Sequence, residues 1–136
     1  EVYSVYTTAA HADFYSNGYI KANISHNQGY GMTIWPYCIQ KIKNGNPEAI
    51  YYVECMDEKT CKDRGYAFPY KDDKDKDGVI YYFEAVGTSR NEYKPLTKVQ
   101  YDALVDQYIP ESKRIKLNYK SFTMENIKAI TDNLMV

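Results

Sequence analysis

The sequence lacks both long apolar runs and a marked excess of charge of either sign. No run of about 18 apolar residues occurs, so a membrane-spanning helix is excluded within these 136 residues. The 17 basic and 18 acidic side chains leave a net charge of -1, which is not the strongly basic balance typical of nucleic-acid-binding domains. We therefore expect no transmembrane segment and no nucleic-acid partner. A local basic cluster remains open as an alternative, at Lys113, Arg114, Lys116 and Lys120.

Motifs that carry catalysis are also scarce. The sequence has no G-x-S-x-G motif, and its short glycine-containing loop lacks the third glycine and the following helix of a dinucleotide-binding loop. It has only two histidines, His11 and His26. Either could act as a general acid or base, so a secreted hydrolase or a nuclease-type toxin domain is the alternative function. Because no set of catalytic groups converges, a non-enzymatic function is favoured.

Cysteine is limited to Cys38, Cys55 and Cys61, and no C-x-x-C pair occurs, which argues against zinc and thioredoxin-type sites. Five mostly polar residues separate Cys55 from Cys61, and we predict a disulfide between them that closes a small turn. Cys38 is expected to be a buried small hydrophobe. The cysteine pair, the lack of a Met before Glu1 and the acidic segment described next favour a secreted or periplasmic protein. Cytosolic free thiols are the alternative.

One specific pattern is present, an acidic segment from Asp73 to Glu84. It fits D-x-[DN]-x-[DN]-G followed by five residues and Glu, in which alternate residues of a curled loop present oxygen atoms to Ca²⁺. Gly78 would permit the sharp turn between the two halves. Ca²⁺ is the one cofactor that the sequence predicts. Its ligands would be three carboxylates, a backbone carbonyl, a water-mediated contact and a bidentate Glu, from Asp73, Asp75, Asp77, Val79, Tyr81 and Glu84 in that order.

The acidic segment resembles the calcium loop of EF-hand proteins, and the resemblance is confined to these twelve residues. Gly65 and Pro69 disfavour the entering helix of an EF-hand, since Pro in a helix interior costs about 3 kcal/mol. Gly87 interrupts an exiting helix in the same way. The arrangement is therefore similar to the isolated calcium loops of some periplasmic binding proteins. The alternative, which needs no metal, is a charged hairpin turn at Asp77-Gly78 between two strands.

Tyrosine is unusually frequent, with 16 residues. Most are expected to be half-buried in strands. Tyr also supplies large, stiff contact area at binding surfaces, so some of these residues are candidates for contact with a partner. The candidate partner-binding residues are Tyr51, Tyr52, Tyr81 and Tyr82. Three acidic residues in or beside the predicted cysteine turn are interpreted as solvating, namely Glu54, Asp57 and Glu58.

The hydrophobic pattern predicts strands first and helices later. Asn17-Gly18 either ends a helix over Thr8 to Ser16 or turns a hairpin, and Asn44 to Pro47 forms a second turn. Strands are predicted from Tyr19, over Met32 to Lys43, Ile50 to Cys55, Tyr66 to Lys71, Val79 to Val86 and Arg114 to Lys120. Helices are predicted from the capping box of Thr97 and Gln100 to Pro110, and again after Thr123.

The predicted fold class is α+β, with an antiparallel β-meander of about five or six strands and two C-terminal helices packed on one face. Residues 1–136 are expected to form a single domain. The near-neutral charge, the many tyrosines and the missing catalytic set resemble the profile of small protein inhibitors and immunity proteins of bacterial envelope systems. This resemblance implies a small binding module with a protein partner, in which calcium would stabilise the acidic loop.

Overall fold

The computed structural model describes residues 12–24, 33–116 and 123–125. Within these ranges the chain forms an antiparallel sheet and two helices. The elements are β1 (Ala12–Phe14), β2 (Tyr19–Asn23), β3 (Thr33–Lys43), β4 (Asn46–Asp57), α1 (Glu58–Asp63), β5 (Val79–Ala85) and α2 (Lys98–Tyr108). Short 3₁₀ turns lie at Tyr70–Asp72, Arg90–Glu92 and Glu111–Lys113.

Strands that follow one another in sequence also lie next to one another in space, in the order β1-β2-β3-β4-β5. This meander follows from the short turns between the strands. Asn44 and Gly45 join β3 to β4 with φ angles of 51° and 79°, the left-handed conformation that a tight hairpin turn requires. Asn17-Gly18 closes the hairpin of β1 and β2, so the helix considered for Thr8 to Ser16 does not extend into the described residues of β1.

One face of the sheet packs against α2. The helix begins at the predicted capping box, in which Gln100 N donates to Thr97 Oγ1 and Thr97 N donates to Gln100 Oε1. At its other end, the Tyr108 ring lies 4.8 Å from the Tyr51 ring, and the two hydroxyls are 2.9 Å apart. Aromatic packing and the cap together hold α2 on the sheet. The buried residues on this side are Tyr15, Tyr37, Ile39, Val53, Phe83 and Ile109.

The opposite face of the sheet carries a second apolar cluster. α1 contributes to it and begins where the Asp57 carboxylate accepts a hydrogen bond from Thr60 N at 2.7 Å. Because clusters lie on both faces, β5 is covered on both sides, as its continuous apolar run predicts. The members of the second cluster are Met56, Cys61, Phe68, Ile80 and Tyr82.

The α+β class and the antiparallel meander are confirmed, but the predicted strand from Tyr66 to Lys71 is wrong. Residues 66–69 are irregular and have no sheet partner, and the chain then enters the 3₁₀ turn Tyr70–Asp72. Pro69 has no N–H to donate to a ladder, and β5 pairs instead with β4. On the other side of β5, Leu96 N donates to Tyr81 O at 3.0 Å. The acidic loop is therefore not the turn of a hairpin.

Two predicted elements near the end of the chain lie mostly outside the described residues. The strand from Arg114 to Lys120 is described only at its start, where Ile115 N donates to Phe14 O at 2.7 Å. The helix after Thr123 is described only at residues 124–125. Within the described ranges, no helix is long and apolar enough to cross a membrane. That the whole chain forms one domain stays a prediction.

Candidate functional site

A buried carboxylate, that of Glu54, lies on the sheet face away from α2. Side chains of a strand alternate between faces, so Val53 and Cys55 point toward α2 and Glu54 points to the other side. There Glu54 lies opposite Tyr82 of β5 and is only 4% exposed. Because Glu is almost never fully buried without a partner, this position identifies Glu54 as a candidate functional residue.

Arg90 supplies the countercharge to Glu54. Its Nη2 atom lies 2.7 Å from Glu54 Oε1, and its side chain is 47% exposed. Apart from this ion pair, Oε1 has no hydrogen-bond partner in the described part of the chain. The Arg90 guanidinium also lies 5.4 Å from the centre of the Tyr93 ring, within the range of a cation–π contact. Glu54 and Arg90 thus form an ion pair between a buried carboxylate and a half-exposed guanidinium.

The segment between β5 and α2 carries this countercharge and is tied to the sheet. A capping box between Ser89 and Glu92 closes its 3₁₀ turn. Next to that turn, Glu84 Oε1 accepts a hydrogen bond from Lys94 N at 2.6 Å. These contacts hold the segment in one position before any ligand arrives, which is the preorganisation that a binding site needs.

A pocket of about 100 Å³ opens beside Glu54. This volume accommodates several water molecules or the end of one long side chain. Tyr52 precedes Glu54 by two positions, so it points to the same face, and it is 36% exposed. Apolar and aromatic walls around one carboxylate are typical of a ligand site. The pocket is lined by Ile24, Pro36, Tyr37, Tyr52, Val53, Glu54 and Tyr93.

The electrostatics of the pocket are dominated by the burial of Glu54. Burial raises the pKa of Glu54 above its ordinary value, and the contact with Arg90 lowers that pKa only in part. The desolvation of the carboxylate is therefore incompletely offset by its countercharge. A titratable group perturbed in this way inside a pocket is a common property of functional sites. Chemically, the site can hold a proton or bind a second cation.

The tyrosines predicted to contact a partner are distributed unevenly between surface and core. Tyr52 is exposed at the pocket, whereas Tyr51 is half-buried against Phe83 and Tyr108. Tyr81 and Tyr82 are each 8% exposed. The structure therefore corrects the prediction for Tyr81 and Tyr82, because coverage of β5 on both faces removes them from the surface. Of the four, Tyr52 has the most exposed side chain, and its contact with a partner stays a prediction.

The acidic loop folds around its own backbone. Asp73 is 8% exposed and accepts hydrogen bonds from the backbone N–H groups of Lys76, Asp77 and Gly78, at 2.7, 3.3 and 2.9 Å. Asp77 Oδ1 accepts another from Val79 N at 3.0 Å. Gly78 has a φ of 81°, so the sharp turn predicted at this residue is present.

The other two carboxylates of the predicted calcium set point away from Asp73. Asp75 Oδ2 accepts a hydrogen bond from Lys98 N at the start of α2, and Glu84 is directed to Lys94 N. No group of three or more His, Cys, Asp or Glu residues is positioned for a metal ion in residues 12–24, 33–116 and 123–125. In this arrangement the carboxylates do not converge, and calcium would have to draw Asp75 and Glu84 away from these N–H groups. Calcium binding stays a prediction.

All three cysteines are free thiols, so the predicted disulfide between Cys55 and Cys61 is absent. Cys55 contacts the Tyr101 hydroxyl on the α2 side of the sheet, whereas Cys61 is fully buried in the cluster on the opposite side. The sheet therefore separates the two residues. Burial raises the pKa of each thiol, including that of Cys38, which is buried as expected.

The remaining candidates are the two histidines and the basic cluster. His11 and His26 lie outside the described residues, so the hydrolase or nuclease alternative stays a prediction. In the basic cluster, Arg114 is paired with Asp13 at 2.7 Å and with Glu111 at 3.4 Å, and Lys120 lies outside the described residues. Arg114 is therefore ion-paired within the chain, and the absence of a nucleic-acid partner stays a prediction.

Glu54 is the site residue that sequence reasoning misinterpreted. Its place beside the cysteine turn suggests a solvated residue, but it is the one charged residue in the apolar run from Ile50 to Cys55. An isolated acid within a strand of this kind signals a buried polar group that needs a partner. The partner itself, Arg90, could not be identified from the sequence, because only the fold brings the segment after β5 beside β4.

Comparisons of the chain with protein-family models, with curated proteins and with solved structures find no match.

Proposed function

We propose that this chain is a small protein-binding module whose contact surface surrounds the Glu54 pocket. The observation that carries the proposal is a preformed pocket that combines a buried carboxylate with an exposed tyrosine at its edge. Concave, mostly apolar sites with a few oriented polar groups are where proteins bind ligands. The predictions of a protein partner and of an inhibitor or immunity type of function are consistent with this surface.

The residues around the pocket are the types that dominate protein interfaces. Trp, Tyr and Arg account for most binding hot spots, because they combine large contact area with directed polar groups. Tyr52 lines the pocket with Glu54, the half-exposed Arg90 is ion-paired with Glu54, and Tyr93 forms part of the wall. A partner side chain inserted here would contact two aromatic rings and approach a carboxylate that is shielded from water.

The proposal is tested by selecting peptides from a random display library on the immobilised protein. We expect enriched peptides that bind the immobilised wild type and no longer bind when the Tyr52→Ser variant is immobilised in its place. Val99→Ser is the matched control, because Val99 is an apolar residue of α2 that is 79% exposed on the other side of the sheet. Peptides that bind the wild type and the Tyr52→Ser variant equally would place the contact surface elsewhere. A library that yields no peptide above the level of an uncoated support would contradict the proposal.

A further inference from the structure

We infer that the Glu54 pocket anchors one basic side chain of the protein partner, a lysine or an arginine. The inference rests on the proposed function and specifies the chemistry of its ligand. It is carried by three features of the site: an incompletely compensated carboxylate, aromatic walls, and an internal contact that already displays the same recognition.

The carboxylate favours a cation over any other ligand. Glu54 is 4% exposed, and among the residues that the structure describes its countercharge is Arg90, whose own side chain is half in solvent. Burial still raises the pKa of Glu54 despite that contact, so a second positive group beside it lowers the cost of keeping it ionised. An anionic ligand in the same pocket would meet the carboxylate directly and be repelled.

The walls of the pocket suit the stem and the head of a basic side chain. Tyr52 and Tyr93 contribute aromatic rings, whose faces attract ammonium and guanidinium groups, while Ile24 and Pro36 offer apolar contact to methylene groups. At about 100 Å³ the pocket has room for the end of one side chain and no more. A small pocket of this composition fits one residue of a peptide better than an extended apolar segment.

The chain itself contains the contact that we assign to the partner. The Arg90 guanidinium lies 5.4 Å from the Tyr93 ring centre and 2.7 Å from Glu54 Oε1. The same carboxylate and the same ring line the pocket, where a second cation can approach them. The partner's basic group would thus complete a cation–carboxylate–cation arrangement across Glu54.

The inference is tested by following backbone amide NMR shifts while Nα-acetyl-lysine methylamide is added to the full chain. We expect saturable shifts at Val53, Glu54 and Tyr93, in the millimolar range appropriate to a single side chain. Nα-acetyl-norleucine methylamide has a similar stem without the charge, and it should bind at least about tenfold more weakly. The Glu54→Gln variant should bind the lysine derivative no more tightly than the norleucine derivative. The dispersion of its amide spectrum shows whether the variant is folded.

Two results would overturn the inference. One is equal binding of the lysine and norleucine derivatives to the wild type, which would make the pocket an apolar site. The other is the absence of saturable shifts at the pocket with either derivative or with the arginine analogue. If the selected peptides bind through Tyr52 but share no basic residue, the proposed function stands and this inference fails. If no peptide is selected while the lysine derivative binds, the protein-binding proposal fails and the cation site remains.

Discussion

Glu54 shows how one residue can determine the chemistry of a surface that is otherwise aromatic. Its carboxylate is buried by the strand geometry of β4 and not by a preference of Glu for the interior. The half-exposed Arg90 offsets only part of the cost of that burial. Because its carboxylate is buried and only partly compensated, Glu54 makes the stability of the fold depend on pH, and this dependence can be measured separately from binding.

Replacing Glu54 by Gln should remove a pH dependence of stability. In the folded protein the pKa of Glu54 is raised above its ordinary value of 4.5, so the folded state holds this proton to higher pH than the unfolded chain does. Stability is therefore lost as the pH rises from about 4.5 through the raised pKa, since the folded state binds more protons in that window. Chemical denaturation of the wild type and of Glu54→Gln across this range measures the effect.

A second carboxylate provides the internal comparison for this measurement. Burial raises the pKa of Asp57, but the hydrogen bonds from Thr60 outweigh this effect and lower the pKa below its ordinary value of 3.8. The contribution of Asp57 to stability is therefore present above pH 3.8 and lost at lower pH. The two windows do not overlap. If Glu54→Gln retained the wild-type loss of stability above pH 4.5, the assignment of that loss to Glu54 would be refuted.

At the scale of elements, the acidic loop precedes β5 in the chain and contacts the start of α2. Asp73 organises the loop by accepting three backbone hydrogen bonds, and Asp75 reaches Lys98 N in the first turn of the helix. A carboxylate at a helix N-terminus satisfies a free N–H group and interacts favourably with the helix dipole. The loop thus has a structural role that requires no metal, whether or not calcium also binds.

Asp75→Ala should lower the free energy of unfolding by about 1 kcal/mol in the presence of a chelator, the usual effect of losing a helix-capping group. Lys74→Ala is the matched control, because Lys74 is an exposed residue of the same loop.

Thermal or chemical denaturation with chelator and then with millimolar calcium separates the structural role of the loop from calcium binding. Calcium that stabilises the wild type but not Asp75→Ala would support the metal site, by mass action on the native state. An unchanged wild-type melting temperature would contradict the calcium prediction.

The elements that the sequence predicts well are those with local signals. The alternation from Tyr19 and the capping box of Thr97 and Gln100 specify β2 and α2 without reference to the rest of the chain. The sequence pattern does not predict α1, because Cys55 and Cys61 suggest a disulfide turn over residues that instead end β4, cap the helix at Asp57 and form its first turn. The Glu54 pocket was missed for a different reason: it combines β3, β4 and the segment after β5, and only tertiary structure brings these together.

At the scale of the whole molecule, most of the tyrosines that the structure describes are buried or half-buried in the core. On the α2 side, burial raises the pKa of Tyr37 and of Tyr81 to about 12, and the hydrogen bond to Tyr51 raises that of Tyr108 to about 12. The abundance of Tyr therefore reflects a sheet filled with aromatic rings whose hydroxyls pair with one another. The expectation of a secreted or periplasmic protein stays a prediction, and without the disulfide it has lost one of its supports.

The buried tyrosines predict unfolding at alkaline pH. Because the folded-state pKa values of Tyr37, Tyr81 and Tyr108 lie near 12, above the ordinary value of 10.0, stability should fall as the pH rises through this interval. Ultraviolet absorbance of tyrosinate and far-ultraviolet circular dichroism should change together, in one cooperative step. Ionisation of all tyrosines near pH 10 with the circular dichroism unchanged would show that they are not buried as described.

The most direct test of the binding module is the dissociation constant of the best selected peptide, measured by calorimetry with the wild type, Tyr52→Ser and Val99→Ser. Loss of a tyrosine hot spot costs at least about 1.4 kcal/mol, so Tyr52→Ser should weaken binding by about tenfold or more. Val99→Ser should bind as the wild type does. Equal affinities for the wild type and Tyr52→Ser, or a loss confined to Val99→Ser, would contradict the assignment of the contact surface to the Glu54 pocket.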